Sequence, residues 1–490
     1  MRLPMENEVR KRSSVAQSTR RSLSKLRFQI LAYPAVVFLI LISLPGNNFY
    51  PQTAPALTPQ ASGPLTLRQA VEQALQNNSS LKAAHEGLAM AQQKVPQAVS
   101  HYLPEVNFDE TFARGNNPVY VFGSLLNQRQ FGPQNFAIPS LNKPLALDNF
   151  QAKLSIQQVL YDAGKIRGSV AQAKLGEKVA QQDVEKTRQE LIFRVAKAYM
   201  MHLLARSGQQ VAEDAVKTAK AAGARADSLY QSGMTVESDK LAAQVFLARM
   251  QEELLKAKNQ VALSRANLNF EMGLPVDNPI EMASDLNEVR FDSEPQESLF
   301  KQALERRPDY LQTLLMKDIA EKGVGIARSE FLPQIGVYGS WEADSQTLAD
   351  RGGNNWVVGA RLHFNLFRGR NDKAQLEEAK ANLERSMAMN NYVSAAVRLQ
   401  VKQVALDLDN TRQRIDVTKS AIAQAEETLR IVQNRYGAGL TTVTELLRAQ
   451  TDLTQARSAY FQALYDHRIA KANTELASGI LTEQSQALNQ

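Results

Sequence analysis

Cysteine is absent from the 490-residue chain. That excludes a disulfide framework, thiolate zinc or iron–sulfur sites, a cysteine nucleophile and a lipidated N-terminal cysteine. Histidine is scarce. His85, His101, His202, His363 and His467 show no ligand spacing and no companion carboxylate pattern, so neither a metal site nor a cofactor is expected. No G-x-S-x-G, P-loop or dinucleotide fingerprint occurs, and the chain is not expected to be an enzyme. Long apolar runs are missing but for Ile30–Leu44. Its length and Pro34 fall short of the roughly 20 residues of a stable spanning helix.

Positive charge is in excess, with 57 Lys and Arg against 50 Asp and Glu and a formal net charge of +7. Such a balance invites a nucleic-acid reading. Location decides against it. Residues 1–56 hold eight basic residues and two acids, so the rest of the chain carries only +1. Basic residues followed by a short apolar run read as a secretory signal, with Ala54-Pro-Ala56 as the candidate cleavage point. The stretch Thr19-Arg20-Arg21-Ser-Leu-Ser-Lys25 loosely resembles a twin-arginine signal, against the ordinary secretory route, and an uncleaved anchor is the other reading. The mature chain is expected to be exported, with no nucleic-acid partner.

The chain also repeats itself. Gln73-Ala74-Leu75 recurs as Gln302-Ala303-Leu304, and Leu103-Pro104 as Leu332-Pro333, at one offset. Further on a second offset pairs Leu160 with Leu366, Val195 with Val401, Tyr230 with Tyr436, Gly233 with Gly439, Leu241 with Leu447 and Gly273 with Gly479. The expected organisation is a leader over 1–56, a linker over 57–64, a first repeat over 65–274, a second linker over 275–296, a second repeat over 297–479 and a tail over 480–490.

Proline is missing between Pro144 and Pro275 and again after Pro333. Because an interior proline costs a helix about 3 kcal/mol, these stretches are good helix material. The pattern predicts helices near 65–102, 163–229, 236–273, 297–330, 370–435 and 441–478. The middle helix of each half equals two shorter ones placed end to end, which suggests long rods. Leu446, Ala449, Leu453, Ala456, Tyr460 and Ala463 form a narrow seam, repeated by Leu247, Met250, Leu254, Ala257 and Val261. Such a stripe suits side-by-side helices of coiled-coil type, though an ordinary helical bundle has the same period.

Period-two segments lie between the helices. Near 105–114, Val106, Phe108 and Phe112 share a face, interrupted by Glu110; near 149–160, Phe150, Ala152, Leu154 and Ile156 do. The second half offers Ile335, Val337, Gly339 and Trp341 near 334–343, then Trp356, Val358, Ala360, Leu362, Phe364 and Leu366 near 356–367. Each segment has about the length of a tilted membrane strand. A soluble β-sandwich would alternate similarly. In a bilayer four strands cannot close alone, because open edges in hydrocarbon are forbidden, so several chains must share one barrel.

Helix, strand, loop, strand, long helix, tight turn and helix, duplicated in tandem, resembles the TolC-like outer-membrane efflux and secretion channels. The resemblance spans nearly all of 65–480. It rests on Phe331-Leu-Pro-Gln-Ile-Gly336 before a strand, on Leu160-Tyr-Asp-Ala-Gly164 and Leu366-Phe-Arg-Gly369 after strands, and on two turns of form Y-x-x-G-x5-[D/E]-x-L. Those turns run from Tyr230 and Gly233 to Asp239 and Leu241, and from Tyr436 and Gly439 to Glu445 and Leu447.

The resemblance implies a mainly α fold with membrane β: a homotrimer sharing a twelve-stranded barrel, four strands per chain, above a long-helix α-barrel. It implies the outer membrane of a Gram-negative-type cell as location and the periplasm as the helices' surroundings. Outer-membrane lipid, a periplasmic adaptor (membrane fusion) protein and an inner-membrane RND or ABC-type transporter are the implied partners. It makes loops 115–148 and 344–355 extracellular and places 275–296 at an equatorial girdle. It makes Tyr230, Gly233, Tyr436 and Gly439 the periplasmic tip that docks the adaptor. Asp239, Tyr436, Thr441, Glu445 and Arg448 then form the entrance gate. There Tyr436 and Asp239 contribute closing hydrogen bonds, Thr441 replaces an expected arginine, and Glu445 offers a ring of negative charge that an ion pair with Arg448 would offset. The competing reading is a non-conducting periplasmic coiled-coil scaffold or envelope tether, which the strand segments oppose.

Overall fold

The structure is a computed structural model that describes residues 63–291, 294–348 and 352–488. The expected export segment 1–56 and its candidate cleavage point lie outside the described residues. Two compact units are present: a strand-and-loop unit of 105–157 and 338–359, and a helical unit of 63–104, 158–337 and 360 onward.

In chain order the elements are α1 (Leu67–Asn77), α2 (Ser79–Ser100), β1 (Glu105–Gly115), α3 (Pro118–Asn127), α4 (Ile138–Asn142), β2 (Leu147–Tyr161), α5 (Lys165–Gln231) and α6 (Glu237–Glu271). The second half continues with α7 (Gln296–Arg306), α8 (Pro308–Ser329), β3 (Gln334–Ser345), β4 (Gly353–His363), α9 (Asn371–Gly437) and α10 (Val443–Ala477). Both long helices, α5 and α9, have 67 residues, and both hairpin partners, α6 and α10, have 35. The two halves match element for element except in the strand loop, where α3 and α4 have no counterpart among the described residues between β3 and β4.

Two expected helices are each broken in the structure. The 65–102 segment divides at Asn78, whose carboxamide oxygen caps α2 by accepting the Ser80 N–H at 2.8 Å. The 297–330 segment divides at Arg307, because Pro308 opens α8 and disfavours helical backbone before it. Asn78 and Arg307 are themselves repeat equivalents. Each break abuts a positive-φ glycine at the end of a hairpin: a Cβ on Gly273 (φ 72°) would lie 2.8 Å from the Asn77 carbonyl carbon, and one on Gly479 (φ 69°) 2.8 Å from that of Arg306. The helix α2 runs on through Pro96, its interior proline exposed.

In the helical unit α5 packs on α6, α2, α8 and α10, and α9 packs on α10 and α8. The main core gathers Leu67, Leu191, Ile192, Val195, Tyr199 and Leu268. It holds the 275–291 linker through paired backbone bonds of Leu65 to Glu281 (2.7 Å) and Ala283 (3.0 Å). The predicted seam points inward: Leu446, Ala449 and Ala463 are buried, and Leu247, Met250 and Leu254 are half-buried.

The sheet has the order β1-β2-β3-β4. Antiparallel pairing sets Val106 opposite Ile156, Phe108 opposite Leu154 and Phe112 opposite Phe150, whose rings lie 4.7 Å apart. One sheet face is thus apolar and exposed, with Phe108 at 65%, Trp356 at 76% and Val358 at 74% exposure. The fourth strand is earlier than expected. It ends at His363, and Phe364 and Leu366 lie beyond it, where Asn365 and Arg368 hydrogen-bond Asp372 at the start of α9.

Candidate functional site: the two hairpin tips

Each long helix ends in a Schellman closure. After α5 the Met234 N–H donates to Leu229 O (2.8 Å) and Gly233 N–H to Tyr230 O (2.9 Å). After α9 the Leu440 N–H donates to Arg435 O (2.8 Å) and Gly439 N–H to Tyr436 O (3.1 Å). Both glycines carry positive φ, 71° and 72°, and no atom lies within 4 Å of a Cβ built on either. Conformation, not space, calls for glycine here.

The hairpins restart with one device used twice. Thr235 Oγ1 donates to Asp239 Oδ2 at 2.6 Å, and Thr441 Oγ1 donates to the Glu445 carboxylate. Thr442 adds a side-chain cap on the Glu445 N–H, and both acids favour the positive end of their helix. The residue standing where an arginine was expected therefore has a local partner. Glu445 and Arg448 are both exposed and form no ion pair. The carboxylate is directed back to Thr441, and the expected offset of its charge by Arg448 is absent.

Tyr230 and Tyr436, equivalent in sequence, differ in place. Tyr230 is partly exposed, with Lys240 Nζ 5.3 Å from its ring centre and 2.7 Å from Asp227 across the turn. Tyr436 is 5% exposed and sits in a core with Ala226, Leu229, Ala243, Val443 and Leu446 that joins the two tips. Its buried hydroxyl has no hydrogen-bond partner among the described residues. Burial, with the Asp239 charge adding, pushes its phenol above the ordinary range. Of the two residues expected to give closing hydrogen bonds at the entrance, Asp239 accepts from Thr235 within its own turn. Arg225 of α5 crosses to α9, its guanidinium 3.3 Å from Gly437 O.

Exposed Met234 and Leu440, repeat equivalents just beyond the glycines, are apolar tip residues at positions that the turn motif leaves unspecified. Their signal was available, since each follows its glycine directly. Elsewhere in the helical unit His202 and His467 are buried beside hydroxyls, Ser264 at 2.9 Å and Thr411 at 3.2 Å. Among the described residues no group of three or more His, Asp or Glu side chains is placed to hold a metal ion. No helix among them is long and apolar enough to cross a membrane.

The outer membrane efflux protein family model matches residues 70–274 and 299–479, once per half. The chain belongs to the outer membrane efflux protein family. The outer membrane efflux protein BepC of Brucella suis is 23% identical to this channel, over 87% of this chain and 88% of BepC. The alkaline protease secretion protein AprF of Pseudomonas aeruginosa is 24% identical, over 69% of this chain and 71% of AprF. The CmeC outer membrane channel of Campylobacter jejuni shares the fold, with a TM-score of 0.73 over 88% of this chain and 92% of CmeC at 18% identity. The TolC-like resemblance holds. The protein is an outer-membrane channel of the efflux and secretion class with a tandem-duplicated TolC-type fold, and its family consists of channels rather than enzymes.

Proposed function

We propose that three copies of the chain form one passive exit duct, each giving four strands to a twelve-stranded barrel. The observation that carries this reading is the open sheet. Its edge strands β1 and β4 have no partner strand among the described residues, while one face exposes Phe108, Trp356 and Val358. In hydrocarbon such edges must be paired, each unpaired backbone group costing several kcal/mol. The division into two repeats, 65–274 and 297–479, then supplies two hairpins per chain to a tip of six.

The tip is the periplasmic entrance and the adaptor-docking end. Met234 and Leu440 offer apolar contacts beside the turns at Gly233 and Gly439, and Tyr230 and Tyr436 anchor each turn. An inner-membrane RND or ABC-type transporter supplies the energy, delivering drugs, metals, metabolites or polypeptides through the adaptor. Asp239, Tyr436, Thr441, Glu445 and Arg448 line or support the gate. Glu445, exposed and held by Thr441, gives three carboxylates around the entrance and favours cations there. Its test is single-channel recording. Glu445→Gln shifts the cation-to-anion permeability ratio toward one and weakens block by divalent cations; an unchanged ratio and block contradict the entrance assignment.

A further inference from the structure

The expected extracellular loop 115–148 is not a plain loop. It contains α3, which starts where the Asn117 carboxamide caps the Val119 and Tyr120 N–H groups and Pro118 takes the first helical position. Two stripes of α3 face opposite ways. Val121, Ser124 and, just past the helix end, Gln128 are buried; Val119, Phe122 and Leu126 are exposed.

The Gln128 end of the buried stripe is tied to the polar face of the sheet. Gln128 Nε2 donates to Asn149 Oδ1 (2.7 Å) and Asp148 O (2.9 Å), and Asn149 Nδ2 donates to Asp344 Oδ1 (2.7 Å), which also accepts from Gln151 Nε2 (3.2 Å). Asn149 and Gln151 lie opposite the face of Phe112 and Phe150. Burial of that polar face is confined to the end beneath the loop: Asp344 is 0% and Asn149 8% exposed, whereas Asn107, Asp109 and Thr111 are open. The far end of α3 is pinned by Arg129, which holds left-handed backbone (φ 56°) and donates to Asn354 O at 3.1 Å. For a non-glycine residue that backbone is strained, so surrounding contacts must enforce it.

We propose that the Val119–Phe122–Leu126 stripe closes on its own copies, making an apolar constriction at the barrel end that carries this loop. The inference rests on the trimeric reading above, in which the polar face becomes the lumen wall. A helix held on that wall turns its outer stripe toward the axis, where only the other copies stand. Lipid is excluded as the occupant, because the lipid-facing side is the opposite face of Phe108 and Trp356. Phe122 is braced by an edge-on contact with Phe131 (4.8 Å), which meets Phe136 at 5.1 Å, so the stripe is backed by its own loop. An apolar ring of this kind gates by excluding water. This would be a second constriction, distinct from the helix tips.

The chain has no cysteine, so a single introduced thiol is unique. Leu126→Cys in the purified trimer is expected to form covalent dimers with a short-spacer bismaleimide. A charged methanethiosulfonate on the same thiol is expected to lower bilayer current to about half or less. Phe108→Cys, on the lipid-facing side, is the control and should do neither. An intact conducting trimer whose Leu126→Cys neither cross-links nor loses current on modification overturns the constriction and leaves the channel standing. A wild-type protein that is monomeric or silent defeats the trimeric reading, and this inference with it.

Discussion

The four positive-φ glycines of the hairpin ends divide into two physical kinds. Gly233 and Gly439 need the left-handed backbone but face open space, whereas Gly273 and Gly479 need that backbone and also meet a neighbouring chain break at about 2.8 Å. Gly233→Ala is therefore expected to cost about 1 kcal/mol, the strain alone. Gly273→Ala is expected to cost at least about twice as much, since the Asn77 backbone must move. Thermal melting of the two variants checks the order. Buried His202 supplies a pH test: desolvation, aided by Arg206 and Arg265, lowers its pKa to about 4 from the usual 6.5. The native state resists the proton that the unfolded chain accepts, so stability is lost as pH falls from 6.5 toward 4, by on the order of 3 kcal/mol. His467 shifts in the same direction, and Glu475, its carboxyl pushed up by burial, works in the opposite one. The readout is thus the difference: His202→Gln should melt with a shallower acid dependence than the wild type.

At the scale of elements the strands carry the membrane claim. Phe108→Arg and Val358→Arg place a charge on the exposed apolar face, and each should cost about 2–4 kcal/mol near the bilayer midplane. Asn107→Arg, on the open polar face, should be tolerated. Yield of assembled trimer in outer-membrane fractions distinguishes the two outcomes. Period and proline spacing made every long helix and all four strands legible, because those signals are local and the duplication doubled them. The break at Arg307 was hidden by the apolar period continuing across it, although Pro308 marked the place. The helix α3 was hidden for the reverse reason: Asn117-Pro118 signals a turn and a helix start equally well. At the tips the glycines could be read outright. The burial of Tyr436 against exposed Tyr230 could not, since it depends on which hairpin covers which.

The whole molecule uses its length for two copies of one unit. Most of its net positive charge lies in residues 1–56, and the remaining chain is close to neutral. Neutrality suits a duct whose selectivity would come from a few placed groups, the role proposed above for Glu445 and for the α3 stripe. Nothing in that design commits it to one substrate. In the trimer proposed above, the four-stranded sheet of each chain is one third of a closed transmembrane barrel. The most direct test of that barrel is to extract the protein from outer membranes in detergent, determine its mass and record from it in planar bilayers. A trimer giving discrete conductance steps is the expected result. A monomer, or a soluble species that passes no current, would contradict it.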